Sequence, residues 1–453
     1  MLPSADDEKR LLGLMRFLLG RSVASRDGSF RTQLANGATT ATLLSTAAAN
    51  LIIMVCSGLK LYLDPPEETE KASQVAFLMT VSVANAMKGF SMVQQRARLQ
   101  QVVAGLLAMR RAVCDGSGAR HRYACSATLI GNIWMVMSVI LGIVWGVDPV
   151  FNQPPQLNGT SPDPVLPLPI WLPLDASVPL TYWLMFALEA VVCGWTIFFV
   201  MIVDLLYVTL ILNFAAELHV LNHNIQITCN AVDVTAHPKR KIGVSRHAGV
   251  SLYKGHNDDT AAIPNFSLAH FTAANPLMPA YIPDHFRVEL SEDYDTYRLL
   301  VKSIQHHQLI VKCVNEFGKA TGLPVLMVVS INVVNLCSNI ISLAVLVEED
   351  PHASAIAKSL IFTIALGSQT ALYCLPGQMI IDQSERLAHS AFCCRWPDAG
   401  VRFKRSLLVF MACAGRPLRL RVGKLVTLSR ETFQELLKLS YQLFNLVYQL
   451  QSS

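Results

Sequence analysis

Long apolar runs without a single charge recur along this chain, and each is long enough to cross a lipid bilayer. About 20 residues of helix span the roughly 30 Å of hydrocarbon, because an α-helix rises 1.5 Å per residue. Segments 32–59, 123–147, 320–347 and 359–381 reach that length between charges. Two more qualify with reservations of form: 72–87, which is short but continues as GFSMVQQ, and 176–216, which is interrupted by Glu189 and Asp204. Backbone N–H and C=O groups find no water inside a bilayer, so such segments fold as helices. Hydrophobic residues make up 52% of the chain and charged residues 15%, which excludes an ordinary soluble core. With the final helix as a seventh span, the expectation is an all-α membrane protein of seven transmembrane helices, one domain over 1–453.

Orientation follows from basic residues, which are retained on the cytoplasmic side in short loops. Lys9, Arg10, Arg16, Arg21, Arg26 and Arg31 precede the first run. Lys88, Arg96, Arg98, Arg110, Arg111, Arg120 and Arg122 follow the second, and Arg386 to Lys424 precede the last. Segment 148–178 holds Asp148, Asp163 and Asp175 but no Lys or Arg. The N-terminus is therefore predicted to be cytoplasmic and the C-terminus extracellular. No cleavable leader is expected, because Asp6, Asp7, Glu8, Lys9 and Arg10 stand where a leader would be apolar. Asn158-Gly159-Thr160 forms a glycosylation acceptor in the loop predicted to face outward. That loop is rich in Pro and apolar residues, which suits a lid packed on helix ends.

The net charge of +5 is accounted for by these loops and gives no reason to invoke nucleic acid. No phosphate loop, metal ribbon or nucleophile triad is visible, so neither an enzyme nor a cofactor is expected. The eleven cysteines fall in spans or inward loops and read as small core residues. His219 and His223, and the adjacent His306 and His307, lack carboxylate or Cys companions at ligand spacing, which favours hydrogen bonding between packed helices over a metal. Segment 231–292 has neither helical nor strand periodicity and reads as a disordered cytoplasmic insert or a gene-model artefact.

The last segment, ETFQELLKLSYQLFNLVYQLQSS, sets Glu431, Glu435, Lys438, Gln442, Asn445 and Gln449 on one helical face. Such a stripe is either glue within a bundle or the wall of a wet passage.

Several stretches together resemble one family, the seven-helix insect odorant receptors. They are LPIWLPLDASVPLTYWLMFALEAV, NFAAELHVLNHNI, LVKSIQHHQLIVKCVNEF and the long run from Tyr373 through Trp396 and RPLRL to Ser440-Tyr441. The resemblance implies the inverted topology deduced above, with cytoplasmic helix extensions forming an anchor. It also implies an odour-binding subunit of a ligand-gated cation channel in the plasma membrane, a hetero-tetramer with the odorant receptor co-receptor, opened by a volatile odorant. The related gustatory receptors carry a Thr-Tyr pair and then Gln-Phe where this chain has Ser440, Val447 and Tyr448. A long cytoplasmic insert, by contrast, is a feature of the co-receptor. Carried over by position, the resemblance puts the gate at Phe444 and Val447, while Gln442 and Asn445 belong to the polar stripe that could line the pore. It puts a dry ligand pocket among the second, third, fourth and sixth spans, where Phe77, Met137, Leu141, Trp145, Tyr182, Phe186 and Phe362 are the candidates. A co-receptor-like or gustatory-type subunit, a seven-helix receptor coupled to a cytosolic protein, and a transporter are the alternatives.

Overall fold

Hydrocarbon leaves each peptide group to find its partner within the chain, and the answer here is a bundle of helices. The computed structural model describes residues 30–66, 69–151, 166, 168–173, 178–236, 291–349, 353–393, 396–423 and 425–451. The elements are α1 (Phe30–Leu63), α2 (Thr69–Gln94), α3 (Arg96–Ala112), α4 (Ala119–Phe151), α5 (Pro179–Ala236), α6 (Ser291–Glu349), α7 (Ala353–Phe392), α8 (Val401–Ala414) and α9 (Arg430–Gln451). A short 3₁₀ turn, Trp396–Asp398, precedes α8, and a hairpin of β1 (Arg421–Val422) and β2 (Val426–Thr427) precedes α9. Among the described residues six helices, α1, α2 and α4 to α7, are long and apolar enough to cross a membrane. Helix α9 is too polar to join them on composition and is instead strongly amphipathic. Asn158 and most of the 231–292 insert lie outside the described residues, although α5 continues to Ala236 and α6 begins at Ser291.

Helices α5 and α6, at 58 and 59 residues, are each about 85 Å long, nearly three times the hydrocarbon thickness. They therefore run well beyond any bilayer, and α6 packs there against α3 and α8. Helix α5 is the central pillar: Val203, Leu206, Leu210, Phe214, Leu218 and Leu221 are all fully buried. Small residues let α1 and α2 approach closely, since a Cβ on Gly89 would stand only 3.1 Å from Ala47 Cβ and 3.2 Å from the Leu43 carbonyl. Pro324 interrupts the ladder of α6 by removing the N–H that would bond Ala320. The Ser91 hydroxyl of α2 donates to that freed carbonyl at 3.5 Å. The entry to α4 is capped by Asp115, which accepts hydrogen bonds from the Ser117 and Arg120 backbone N–H groups at 3.0 and 2.8 Å. Burial pushes the Asp115 carboxyl up, but these bonds and the Arg120 charge outweigh it and hold the group below its ordinary range.

The hairpin is the joint between the bundle and α9. It seats on glycine notches: Gly322 of α6 faces the turn residue Gly423, whose φ of +58° favours glycine, and Gly377 of α7 faces Leu428. Gln378, next to that second notch, accepts a hydrogen bond from the Arg430 N–H at 3.1 Å, and Ser429 caps α9 through the Thr432 N–H at 3.2 Å. Phe433 and Leu436 then pack α9 onto the core.

A Cβ at position 377 would stand 2.4 Å from the Leu428 carbonyl oxygen, a backbone atom that cannot swing aside. Gly377→Ala is therefore expected to destabilise the docked hairpin by about 1–3 kcal/mol. A lowered thermal unfolding midpoint of the purified chain in detergent checks it; an unchanged midpoint would mean that the hairpin is not held at this notch.

Candidate ligand cavity

Helices α1, α2, α4, α5, α6 and α7 enclose a cavity of about 170 Å³. Five of the seven residues expected to line a ligand pocket do line it: Phe77, Met137, Leu141, Trp145 and Phe362. Three of them form an aromatic cluster across three helices. Ring centroids lie 5.2 Å apart for Phe77 and Phe362, 5.6 Å for Trp145 and Phe362, and 6.3 Å for Phe77 and Trp145, with edge-to-face or tilted geometry. Beyond this cluster lies a smaller cavity of about 50 Å³ that shares Phe77, Trp145, Phe362 and Leu366 with the larger one. Tyr182 and Phe186 line neither cavity and instead stack with Trp183 near the start of α5, at centroid distances of 5.3 and 5.8 Å.

Part of the proline-rich loop also reaches the larger cavity. Leu168 lines it and is buried, its N–H donating to Glu189 Oε2 at 3.0 Å. The Trp171 N–H donates to the Cys56 carbonyl of α1 at 3.2 Å. The described part of the loop is thus stapled to α1 and α5, about two to three turns inside their ends and so deeper than a lid resting on the helix ends. Nothing in the sequence marks Leu168 as a cavity residue, because apolar residues alternate with Pro throughout that loop.

The opposite end of the cavity is polar. Lys88, read above as a loop charge, is buried in the bundle with Nζ 2.6 Å from Asp204 Oδ1, side chains 1% and 0% exposed. Asp204 also accepts from Gln369 Nε2 at 2.9 Å and from the Tyr373 hydroxyl. Arg110 and Arg120, likewise read as loop charges, are buried against Glu217. Arg120 grips that carboxylate with both arms of its guanidinium, at 2.9 and 2.8 Å. His306 Nε2 lies 3.2 Å from the same group, the interhelical contact expected for it. Cys229 differs from the small buried thiol expected of it, being disulfide-bonded.

Along α9, Glu431, Glu435, Lys438, Gln442 and Gln449 are exposed on the surface of the single chain, whereas Asn445 is half-buried. Phe444 is half-buried, its ring 6.3 Å from that of Tyr441. Val447 sits on the same helix, its side chain outside the described residues.

Three comparisons place this architecture. Residues 68–441 match the family model described as 7tm Odorant receptor. Among curated proteins, odorant receptor 85c of Drosophila melanogaster is 30% identical over 150 residues, 33% of this chain and 38% of that one. Odorant receptor 85b of the same fly is 27% identical over 162 residues, 36% of this chain and 40% of that one. The matched stretch thus spans about two fifths of either relative. Among solved structures, the insect olfactory receptor OR5 from Machilis hrabei superposes with a TM-score of 0.69 over 98% of this chain and 97% of that one, at 12% identity. The same receptor solved in complex with eugenol gives 0.68 at 13% identity.

The Lys88–Asp204 pair makes a sharp prediction about the cavity floor. Lys88→Met leaves a buried carboxylate without its counter-charge and is expected to cost about 3–5 kcal/mol, whereas Lys88→Met with Asp204→Asn restores most of that loss. Thermal unfolding of the detergent-solubilised chain measures both. A double variant no more stable than the single one would show that the pair is not the partner set holding α2 to α5.

Proposed function

The chain belongs to the odorant receptor family, which is a receptor family and not an enzyme family, and on that premise we propose that it is the odour-binding subunit of a ligand-gated, non-selective cation channel. In this reading it assembles with the odorant receptor co-receptor as a hetero-tetramer in the plasma membrane of a sensory neuron. Asn158 carries an extracellular glycan, and the ligand is a small volatile molecule. The observation that carries the reading is the largely apolar cavity with its aromatic cluster, lined by six helices of a multi-pass membrane protein. Aromatic and sulfur-bearing walls offer contact area and demand few hydrogen bonds in return, which suits a volatile ligand. The relative solved with eugenol bound lends support by its fold.

A physical route connects the cavity to α9. Phe362, Leu366 and Gln369 line the cavity on α7, and Gly377 and Gln378 lie on the same helix about two to four turns further along. Those two residues hold Leu428 and the Arg430 N–H, where α9 begins. A ligand that fits a displaced α7 better than the resting one shifts the population by that difference in affinity, and the hairpin passes the displacement to α9. At the far end of α9, Phe444 and Val447 form a gate that closes by dewetting, with Gln442 and Asn445 bonding to neighbouring helices or the partner subunit.

Whole-cell recording from cells expressing the chain with and without the co-receptor, with GTP signalling blocked, tests the reading. Odour-evoked cation current that requires the co-receptor and survives the block is expected. Loss of every response under the block, with surface expression confirmed, would replace the channel by a receptor coupled to a cytosolic protein. Trp145→Ala is expected to shift the effective odorant concentration by about tenfold or more, equivalent to about 1.4 kcal/mol, without reducing surface delivery. Identical dose responses for all active odorants would remove Trp145 from the ligand site.

A further inference from the structure

The smaller cavity differs in chemistry from the larger one. Where the larger is walled mainly by apolar side chains, the smaller is lined by Ser73, Asn335, Asn339, Ser342 and Ser359, among others, on α2, α6 and α7. Most of these groups satisfy one another. The Ser342 hydroxyl donates to Ser73 Oγ at 3.0 Å. Asn339 donates through Nδ2 to the Ser359 carbonyl at 2.9 Å and to Thr363 Oγ1 at 2.8 Å, and its Oδ1 accepts from the Ser359 hydroxyl at 3.2 Å. Asn335 is the exception. Its Oδ1 accepts from Thr80 Oγ1 at 3.0 Å, but its Nδ2 has no partner, although the residue is only 4% exposed. A buried amide left half-bonded inside a membrane bundle costs free energy, and polar residues placed there are more often functional than ornamental.

The two cavities share Phe77, Trp145, Phe362 and Leu366, and the three aromatic rings among these lie against one another, with centroids 5.2 to 6.3 Å apart. A ligand can therefore occupy both spaces by parting the rings, with no helix broken. At the other end of the larger cavity Lys88 is already neutralised by Asp204, and Asp204 is bonded to three donors; the larger cavity's own unpartnered polar atoms, Asn50 Oδ1, Trp134 Nε1 and Thr196 Oγ1, belong to residues that do not line the smaller one. Size narrows the choice further. An apolar cavity of about 150 Å³ holds a benzene ring, so the larger cavity takes a body of that size and the smaller one a few atoms more.

We propose that the two cavities are one bipartite site for a small volatile of about eight to ten non-hydrogen atoms: an aryl or short alkyl body in the larger cavity, and one ketone, ester or hydroxyl oxygen in the smaller, bonded to Asn335. This rests on the odour-binding reading above and names its ligand class. The aromatic cluster then selects for shape at the waist of the molecule, while Asn335 selects for the oxygen.

The test compares compounds that share a carbon skeleton and differ in one oxygen: ethylbenzene against acetophenone and 1-phenylethanol, and octane against 2-octanone, at matched free concentrations. In cells expressing the chain with the co-receptor, the oxygenated members are expected to act at about tenfold lower concentration than their hydrocarbons, the effect of one buried hydrogen bond. In Asn335→Leu that ratio collapses towards one. Asn335→Ser, which introduces no apolar bulk among the seryl groups, gives the same collapse should the Leu variant fail to reach the surface. A second readout does not need a working channel: oxygenated members raise the thermal unfolding midpoint of the purified full chain more than hydrocarbons do, and Asn335→Ser removes the difference. Equal potency within each pair, or a ratio unmoved by both Asn335 variants, overturns the bipartite site while leaving the odour-gated reading standing. Silence to the whole panel with surface expression confirmed, together with a preserved difference in the unfolding midpoints, overturns the channel reading and leaves the site. Silence with no such difference overturns the site as well.

Discussion

Two carboxylates on the central helix hold the rest of the bundle in register. Asp204 draws Lys88 from α2 and Gln369 and Tyr373 from α7, while Glu217, further along α5, draws Arg110 from α3, Arg120 from α4 and His306 from α6. Both are fully buried, and each is surrounded by donors from at least two other helices. An unpaired charge at either position would be costly in a medium of low dielectric, so an arrangement that slid α2 or α4 along α5 by one turn would strand it. Apolar packing between helices tolerates such slippage far better, because one leucine face resembles the next. The ionic contacts therefore select one packing among several that would bury similar apolar area. The guanidinium fork of Arg120 adds direction, since two parallel bonds fix an angle as well as a distance.

That fixed frame explains how a cavity can persist beside it. Helices α2, α5 and α7 converge on Asp204 and enclose the cavity on one side of that pin, where Leu168 and the aromatic cluster close it. A void of this size in a bundle held only by dispersion would invite collapse, because its lining loses contact partners. Here the polar pins and the stapled loop resist it from both ends. In the proposed reading the same pins serve coupling: Tyr373 anchors α7 one turn before the hairpin notch at Gly377, with Pro376, which interrupts the ladder of α7, between them.

The sequence carried the spans clearly, because hydrocarbon thickness sets a length that few soluble segments reach. It carried part of the cavity for a related reason: Phe77, Met137, Leu141, Trp145 and Phe362 sit at one depth and on inward faces. Tyr182 and Phe186 share the composition but stack instead with Trp183, which a depth argument cannot distinguish. Lys88, Arg110 and Arg120 were the least legible, since a basic residue at the end of an apolar run reads as a loop marker whether or not the helix continues past it. Their partners Asp204 and Glu217 lie about a hundred residues away, and no local spacing reveals such a pairing. Asn335 was hidden differently. It is one of three Asn in its apolar run, with Asn332 and Asn339, each of which reads as ordinary helix glue, and only the hydrogen bonds around it show its amide nitrogen left over.

The amphipathic last helix takes its meaning from what a lone chain leaves uncovered. Glu435, Lys438 and Gln442 are exposed on α9, beside exposed Leu437, Leu439 and Tyr441. A helix facing lipid on all free sides could not keep those charges at depth without a cost of a few kcal/mol for each. One facing only water would waste its leucines. Both faces are satisfied together when one side of α9 packs on α6 and α7, as Phe433 and Leu436 do, and the remainder meets other subunits or a wet passage. The low apolar content that separates α9 from the six other candidate spans is thus a consequence of where it must sit in the proposed assembly, at the boundary between protein, lipid and water.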